Sequence, residues 1–169
     1  LATVSFMQAL QRAQFDHIRT FESFDFHSDV SHSLEDGRLL AKELEGLGSV
    51  KKAFVYQDLP VLVVDRAGEN HPMRIRAIDV GADLPIHPVA GELFSSEGVA
   101  LSYRNRFLGN PLTITFLRSG KQVTQVPTQR SIPVSGIYAT RYGPFDASTI
   151  LATPEYLSSL TGGGAYSIG

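Results

Sequence analysis

Cysteine is missing from all 169 residues. That absence removes disulfides, thiolate nucleophiles and cysteine-based zinc sites together. It leaves the compartment open, since a reducing cytosol and a bacterial cell envelope both tolerate such domains. Nowhere is there a run of about 18 apolar residues, so no stretch present here spans a bilayer. A basic face is absent too: Lys and Arg are scattered and the net charge is −2. A groove that tracks phosphates needs clustered positive charge, so nucleic acid is excluded as a partner. There is no signal peptide and no initiating Met, so the chain reads as a fragment of something longer.

What is present is enough to fold. Apolar residues make up 43% and charged residues 19%, so burial offsets chain entropy without disulfides or metals. Residues 2–21 lack Gly and Pro and are rich in Ala, Gln, Leu and Arg, which predicts a helix. Its bulky groups, Phe6, Met7, Leu10, Phe15, Ile18 and Phe21, fall on more than one face. Phe24 and Phe26 then alternate with polar residues, as in a half-buried strand. Ser33-Leu34-Glu35-Asp36 resembles a capping box, and Leu40, Leu44 and Leu47 stripe a short helix with Gly48 as its C-cap.

From Val50 the chain is rich in β-formers. The spacing predicts a hairpin from Val50–Asp65, broken at Asp58-Leu59-Pro60, and Met73–Val80. A loop is predicted over 81–96, a strand at 98–101, and one or two helical turns over 102–108 ended by Gly109. Leu112–Leu117 and Ile132–Ala139 read as strands flanking a polar loop, 118–130, with Pro133 marking an edge or bulge. A loop over 142–147 and a strand at 149–151 follow. Pro154 then opens a last helix at its first position, and a strand begins near 165–168. The fold class is α+β, with strands dominating after residue 50.

Chemistry-bearing motifs are few. His27, Asp29 and His32 are close in sequence, but a metal needs converging donors, and these lie on a strand and in a cap-like loop. His17, His71 and His87 read as surface or loop residues. No Gly-x-Ser-x-Gly elbow occurs, and Ser135-Gly136 falls inside a strand pattern. Gly162-Gly163-Gly164 lacks the Lys-Ser/Thr of a phosphate loop. The pairs Asp65/Glu69 and Asp79/Asp83 sit at turns and read as caps. A non-catalytic domain without a cofactor or metal is expected.

Four features in order resemble the extracytoplasmic domain of LolC/LolE-type lipoprotein-releasing permeases of ABC transporters, and more loosely the MacB and FtsX permeases. They are SFMQALQ…IRTFESFDFHSD; LLAKELEGLGSVKKAFVY with MRIRAIDVGAD; VALSYRNRFLGNPLTITF; and TQRSIPVSGIYATRYGPFDASTILATPEYLSSL. The likeness spans most of the chain. It departs at Gln8-Ala9-Leu10, where the family often has Asn-Gly-Phe, and at Asn110-Pro111, in place of a Gly-Asp turn.

The resemblance implies a porter-like β-α-β element and hairpin over 22–80 and a strand-rich subdomain over 81–169. Residues 1–21 would be a long helix extending from a membrane span of a bacterial inner-membrane protein, with the domain in the periplasm. It implies as partners an ABC ATPase subunit that hydrolyses ATP, a second permease copy or paralogue, and a periplasmic lipoprotein carrier. The cargo would be a lipoprotein or other amphiphile. Loop 118–130 corresponds to a hook that receives the carrier, giving Val123, Gln125, Val126 and Pro127 as contacts; a plain hairpin loop is the alternative. Phe6, Met7, Leu10, Phe15 and Ile18 would line a substrate path or subunit contact; the alternative is that all are core. Efflux, regulation of a cell-wall hydrolase, and a free-standing module for a hydrophobic ligand remain open as functions.

Overall fold

The computed structural model describes Arg12 and residues 32–79, 84–119, 125–163 and 166–169. Apart from Arg12, the helix expected over 2–21, with Phe6, Met7, Leu10, Phe15 and Ile18, lies outside the described residues, as do the Phe24/Phe26 strand and Val123. Of Gln125 and Val126 the backbone alone is described.

The elements run α1 (Leu34–Glu45), β1 (Val55–Val64), β2 (Asn70–Ile78), β3 (His87–Gly91), β4 (Val99–Ser102), a 3₁₀ helix (Tyr103–Leu108), β5 (Leu112–Ser119), β6 (Gln125–Ile132), β7 (Val134–Ala139), α2 (Gly143–Ser148), β8 (Thr149–Ala152), α3 (Pro154–Thr161) and β9 (Ser167–Ile168). The described strands form one sheet of nine, in the order β3-β7-β4-β8-β2-β1-β5-β6, with β9 beside β1. Pairing is antiparallel except for β2 with β8 and β4 with β7. The α+β class stands.

Local chemistry explains the helices. Ser33 Oγ accepts from the Asp36 amide and donates to Asp36 Oδ2 at 2.7 Å; this is the N-cap half of the expected box, with the Asp36 carboxylate accepting from the Ser33 hydroxyl instead of the Ser33 backbone N–H. The helix stops at Gly46 instead of Gly48, so Leu47 falls beyond the amphipathic stripe and is 67% exposed. Leu40 and Leu44 do face inward, beside Ala41, Val55, Tyr166 and Ile168. Pro154 occupies the first turn of α3 behind Thr153, whose hydroxyl accepts from the Tyr156 amide, and Gly162 ends it in the left-handed region. These are the end signals that the sequence shows.

β1 is unbroken, contrary to the expected interruption at Asp58-Leu59-Pro60. Nine of its ten residues, Tyr56–Val64, pair with β2 without a shift, Pro60 lying opposite Arg74. On its other side β1 pairs with β9 only at Val55 and Tyr56, and with β5 only at Leu62–Val64. Pro60 has no N–H, and because the β2 ladder passes it undisturbed, its deficit falls on this second side. Extending the β5 register would set Pro60 against Leu117, and there the ladder has already ended. Proline therefore interrupts a ladder and not a strand.

Other boundaries shift as well. The predicted loop 81–96 contains β3, fully exposed along its length and held at the sheet's edge by β7. The loop 142–147 is the short helix α2. Pro133 separates two strands instead of bulging one. The polar segment 118–130 is mostly ladder: β5 and β6 pair from Leu112↔Ile132 to Ser119↔Gln125. No described helix is long and apolar enough to cross a membrane.

Three buried clusters follow from the alternation of side chains across the sheet. The largest, on one face, includes Val61, Val63, Ile75, Leu101, Ile114, Phe116, Ile150 and Leu157, with Tyr156 and Leu160 of α3 against it. The opposite face buries Ile78, Ala100, Tyr138, Phe145 and Leu151, covered by Leu84, Ile86, Leu93 and Phe94. The third lies under α1. There Gly37 is fixed by close approach: a Cβ at that position would stand 2.6 Å from Val55 Cγ1. Gly37→Ala is expected to lower stability by about 1–3 kcal/mol, whereas Leu47→Ser, at an exposed site, should change it by less than about 0.5 kcal/mol. Urea unfolding midpoints of the two variants check the contrast.

Candidate docking face and its electrostatic frame

The β5 sequence Leu-Thr-Ile-Thr-Phe-Leu alternates until its last residue. Leu112, Ile114 and Phe116 point into the core, and Thr113 and Thr115 are half-buried on the other face. Leu117 then puts an apolar group on that second face, 54% exposed, and its partner across the ladder is Pro127. Leu62, 41% exposed, pairs with Thr115 on one side and Pro72 on the other. Parity places Leu62, Leu117, Pro60, Pro72 and Pro127 on one face of four neighbouring strands, all exposed. Of the expected partner contacts, then, Pro127 lies on an exposed apolar face. Leu62 and Leu117 belong to it although sequence reasoning did not name them.

The same face becomes polar and then buried toward the start of β1. Asp58 and Arg76 are opposed across the β1–β2 ladder, and Arg76 donates through Nε and Nη2 to the two Asp58 oxygens at 2.7 Å each. Arg76 is only 3% exposed; its guanidinium lies 5.6 Å from the Tyr56 ring centroid and 6.0 Å from that of Phe145. Arg74 donates to Thr149 Oγ1 at 3.2 Å and faces Phe145 at 5.8 Å. A bidentate pair between aromatic rings satisfies a charge that would otherwise be too costly to bury.

Two further charged groupings were not legible as such. Arg38 of α1 donates through Nε to both Asp79 oxygens and through Nη2 to Glu155 at 2.5 Å, tying α1, the end of β2 and α3 together. The hydrogen bond to Asp79 is the main reason the Arg38 guanidinium is held in its charged form beyond its ordinary range. At the β1–β2 turn, Asp65 Oδ1 accepts from the Ala67 and Glu69 amides, and Oδ2 lies 2.8 Å from His71 Nε2. His71 is thus a brace of the hairpin and not a free surface residue. Asp65, Glu69 and His71 gather potential ligand atoms within 4.8 Å of one another, but the Asp65 oxygens already serve the turn, which is the cap expected of that pair.

The remaining motifs keep structural roles. Ser135 lies on β7, and its hydroxyl donates to the Glu92 and Val99 carbonyls. His32 bridges Tyr166 through the backbone, whereas His27 and Asp29 lie outside the described residues. His87 is exposed on β3.

Removing one member of the buried pair should be costly. Asp58→Ala takes the bidentate carboxylate away from a nearly buried guanidinium and is expected to cost about 3 kcal/mol, the lower end for such pairs because the Asp58 side chain is 32% exposed. Denaturant titration measures it. The Asp65 carboxyl is held below the usual carboxylate range, first by the His71 hydrogen bond and then by the Glu69 amide. A depressed folded-state value stabilises above the unfolded value and is lost as pH falls through the folded one. The stability gap between the wild type and Asp65→Asn should therefore narrow below about pH 4; unfolding curves from pH 7 to pH 2 would show it.

No protein-family model matches the chain, and no curated protein matches it. Among solved structures, the periplasmic region of MacB from Actinobacillus actinomycetemcomitans superposes with a TM-score of 0.52 at 13% identity, over 83% of this chain. The superposition takes in 64% of that chain, so the present sequence matches less than two thirds of it. At that identity the likeness establishes architecture alone: the mixed sheet and sparse helices described above are a fold shared with the periplasmic region of MacB.

Proposed function

We propose that this chain is the extracytoplasmic domain of an ABC transporter permease subunit, with no catalysis of its own. The observation that carries the reading is the fold shared with the MacB periplasmic region across 83% of the chain. The ordered sequence features that resemble the LolC/LolE, MacB and FtsX permeases support it independently. On this reading ATP is hydrolysed by a separate subunit, and its motion moves paired domains against each other to push an amphiphile toward an acceptor. The protein sits in a bacterial inner membrane with this domain in the periplasm.

The finer assignment is lipoprotein release. Val123, Gln125, Val126 and Pro127 would contact a periplasmic carrier, with Leu117 and Leu62 extending that surface across the sheet. Phe6, Met7, Leu10, Phe15 and Ile18 would face the cargo or a second permease copy, since Met and Phe adapt to variable chains. The structural neighbour also favours a second reading, a MacB-like efflux permease, in which the same domain serves a different cargo.

Cysteine labelling offers a direct test. A single Leu47→Cys substitution, at an exposed position, is placed in the full-length protein with any other cysteines replaced by serine, expressed in its bacterial host. A membrane-impermeant maleimide should label it in intact spheroplasts as fully as after lysis. Labelling only after lysis would remove the periplasmic assignment. A second variant, Pro127→Cys carrying a photo-crosslinker, separates the finer readings. A crosslink to a lipoprotein carrier supports release, and one to a periplasmic adaptor subunit supports efflux.

A further inference from the structure

We infer that the 3₁₀ helix and the neighbouring β1–β2 turn form a docking surface for an acidic segment of a partner protein. The inference rests on this surface alone and stands whether or not the domain belongs to a transporter.

A 3₁₀ helix has three residues per turn, so positions three apart share a ridge. The ridge Ser102, Asn105 and Leu108 is pinned inward. Ser102 Oγ accepts from the Asn105 amide, and Asn105 Nδ2 donates to the Asp146 and Ala147 carbonyls at 2.9 and 3.1 Å. Leu108 is buried in the largest core cluster. Anchoring one ridge forces the other two outward. The second ridge is Tyr103 with Arg106, whose guanidinium lies 3.9 Å above the Tyr103 ring centroid and donates to its carbonyl at 2.9 Å. The third is Arg104 with Phe107. Tyr103 is 50% and Phe107 58% exposed.

The hairpin turn completes the surface. His71 meets Phe107 edge-on at 5.7 Å between centroids, and the Arg66 guanidinium lies across Gly109, with Nε 3.3 Å from where a Cβ would stand. Among the described residues, Arg66, Arg104 and Arg106 form no ion pair. Arg66 and Arg106 thus flank the exposed Tyr103 and Phe107 rings, and Arg104, on the ridge of Phe107, reaches toward Gly143 of α2 with Nη1 3.7 Å from where a Cβ would stand, all on a chain whose net charge is −2.

The chemistry selects the occupant. Tyr, Phe and Arg are the side chains enriched where proteins dock, and a helix with one ridge locked loses little entropy on binding. Guanidinium forks match discrete carboxylates in two-point contacts. A lipid surface is a broad sheet of charge and would also meet the Asp65 and Glu69 carboxylates of the same turn, which oppose it. A discrete acidic segment can align with the arginine ridges and avoid them.

The test is a titration of the isotope-labelled domain with a synthetic Glu/Asp-rich peptide bearing one central Leu, followed by amide NMR. Saturable shifts confined to residues 103–108 and 66–68, weakening with salt, are expected. The double variant Arg104→Glu/Arg106→Glu, at exposed positions, should weaken binding by at least about tenfold, while Arg130→Glu on β6 leaves it unchanged. Absence of shifts at these residues, or equal affinity in the double variant, overturns the inference. So does a localised response to phosphatidylglycerol vesicles without one to the peptide, which would make the occupant a lipid headgroup.

Discussion

Pro60 has one backbone donor fewer than its neighbours, and the shape of the sheet follows from where that deficit falls. β1 keeps an unbroken ladder with β2 but shares its other side between β9 at one end and β5 at the other. The β5–β6 hairpin pairs internally over eight positions, yet is joined to β1 over only three. Its outer half is thus a two-stranded ribbon that is not paired to β1. Ribbons of this kind are marginal alone and twist strongly. Here Phe116 anchors the ribbon on the core face, and Leu117 and Pro127 are left on the outside.

That division depends on how the second face of the sheet is filled. Near the start of β1 it is closed by α2 and the segment that carries Leu84, Ile86, Leu93 and Phe94. The Asp58–Arg76 pair marks the limit of this cover, one member nearly buried and the other a third exposed. Past it come Pro60, Leu62 and Pro72, with no described element above them. An apolar face bounded by a fixed ion pair is a different object from scattered surface leucines. Its edge is set by charges that cannot be displaced cheaply, so its outline is constant.

How much of this the residues reveal beforehand depends on the range of the interaction. The Ser33 cap, the Pro154 start and the Gly109 stop were legible because each signal lies within a few residues of what it controls. The strands of Leu112–Leu117 and Thr149–Leu151 were legible because alternation or a dense β-branched run survives in sequence. β3 was not: His87-Pro88-Val89-Ala90-Gly91 is exposed throughout, so burial imposed no pattern on it, and only its ladder with β7 makes it a strand. Leu47 looked like the third step of a stripe, but Gly46 ended the helix first. Arg38, Asp79 and Glu155 are separated by 41 and 117 residues, a distance over which no spacing rule operates. Of the exposed apolar face, Pro127 was named beforehand, through the resemblance. Its neighbours Leu62 and Pro72 were not, since register alone brings them together.

The two exposed surfaces are built in opposite ways, and the difference bears on what each can do. The 3₁₀ helix is locked by Asn105 and Leu108, so its arginines and rings are presented in one arrangement, suited to a fixed pattern of charge. The outer face of the β5–β6 ribbon is attached to β1 through Leu62–Val64 alone, and local opening is easiest where ladders are short. Binding there can shift the ribbon without unpairing the rest of the sheet, because the core residues of β1, Val61 and Val63, are held by β2 independently. The first surface is a rigid platform and the second a short-tethered ribbon. Both follow from the placement of single residues, Asn105 in the first case and Pro60 in the second.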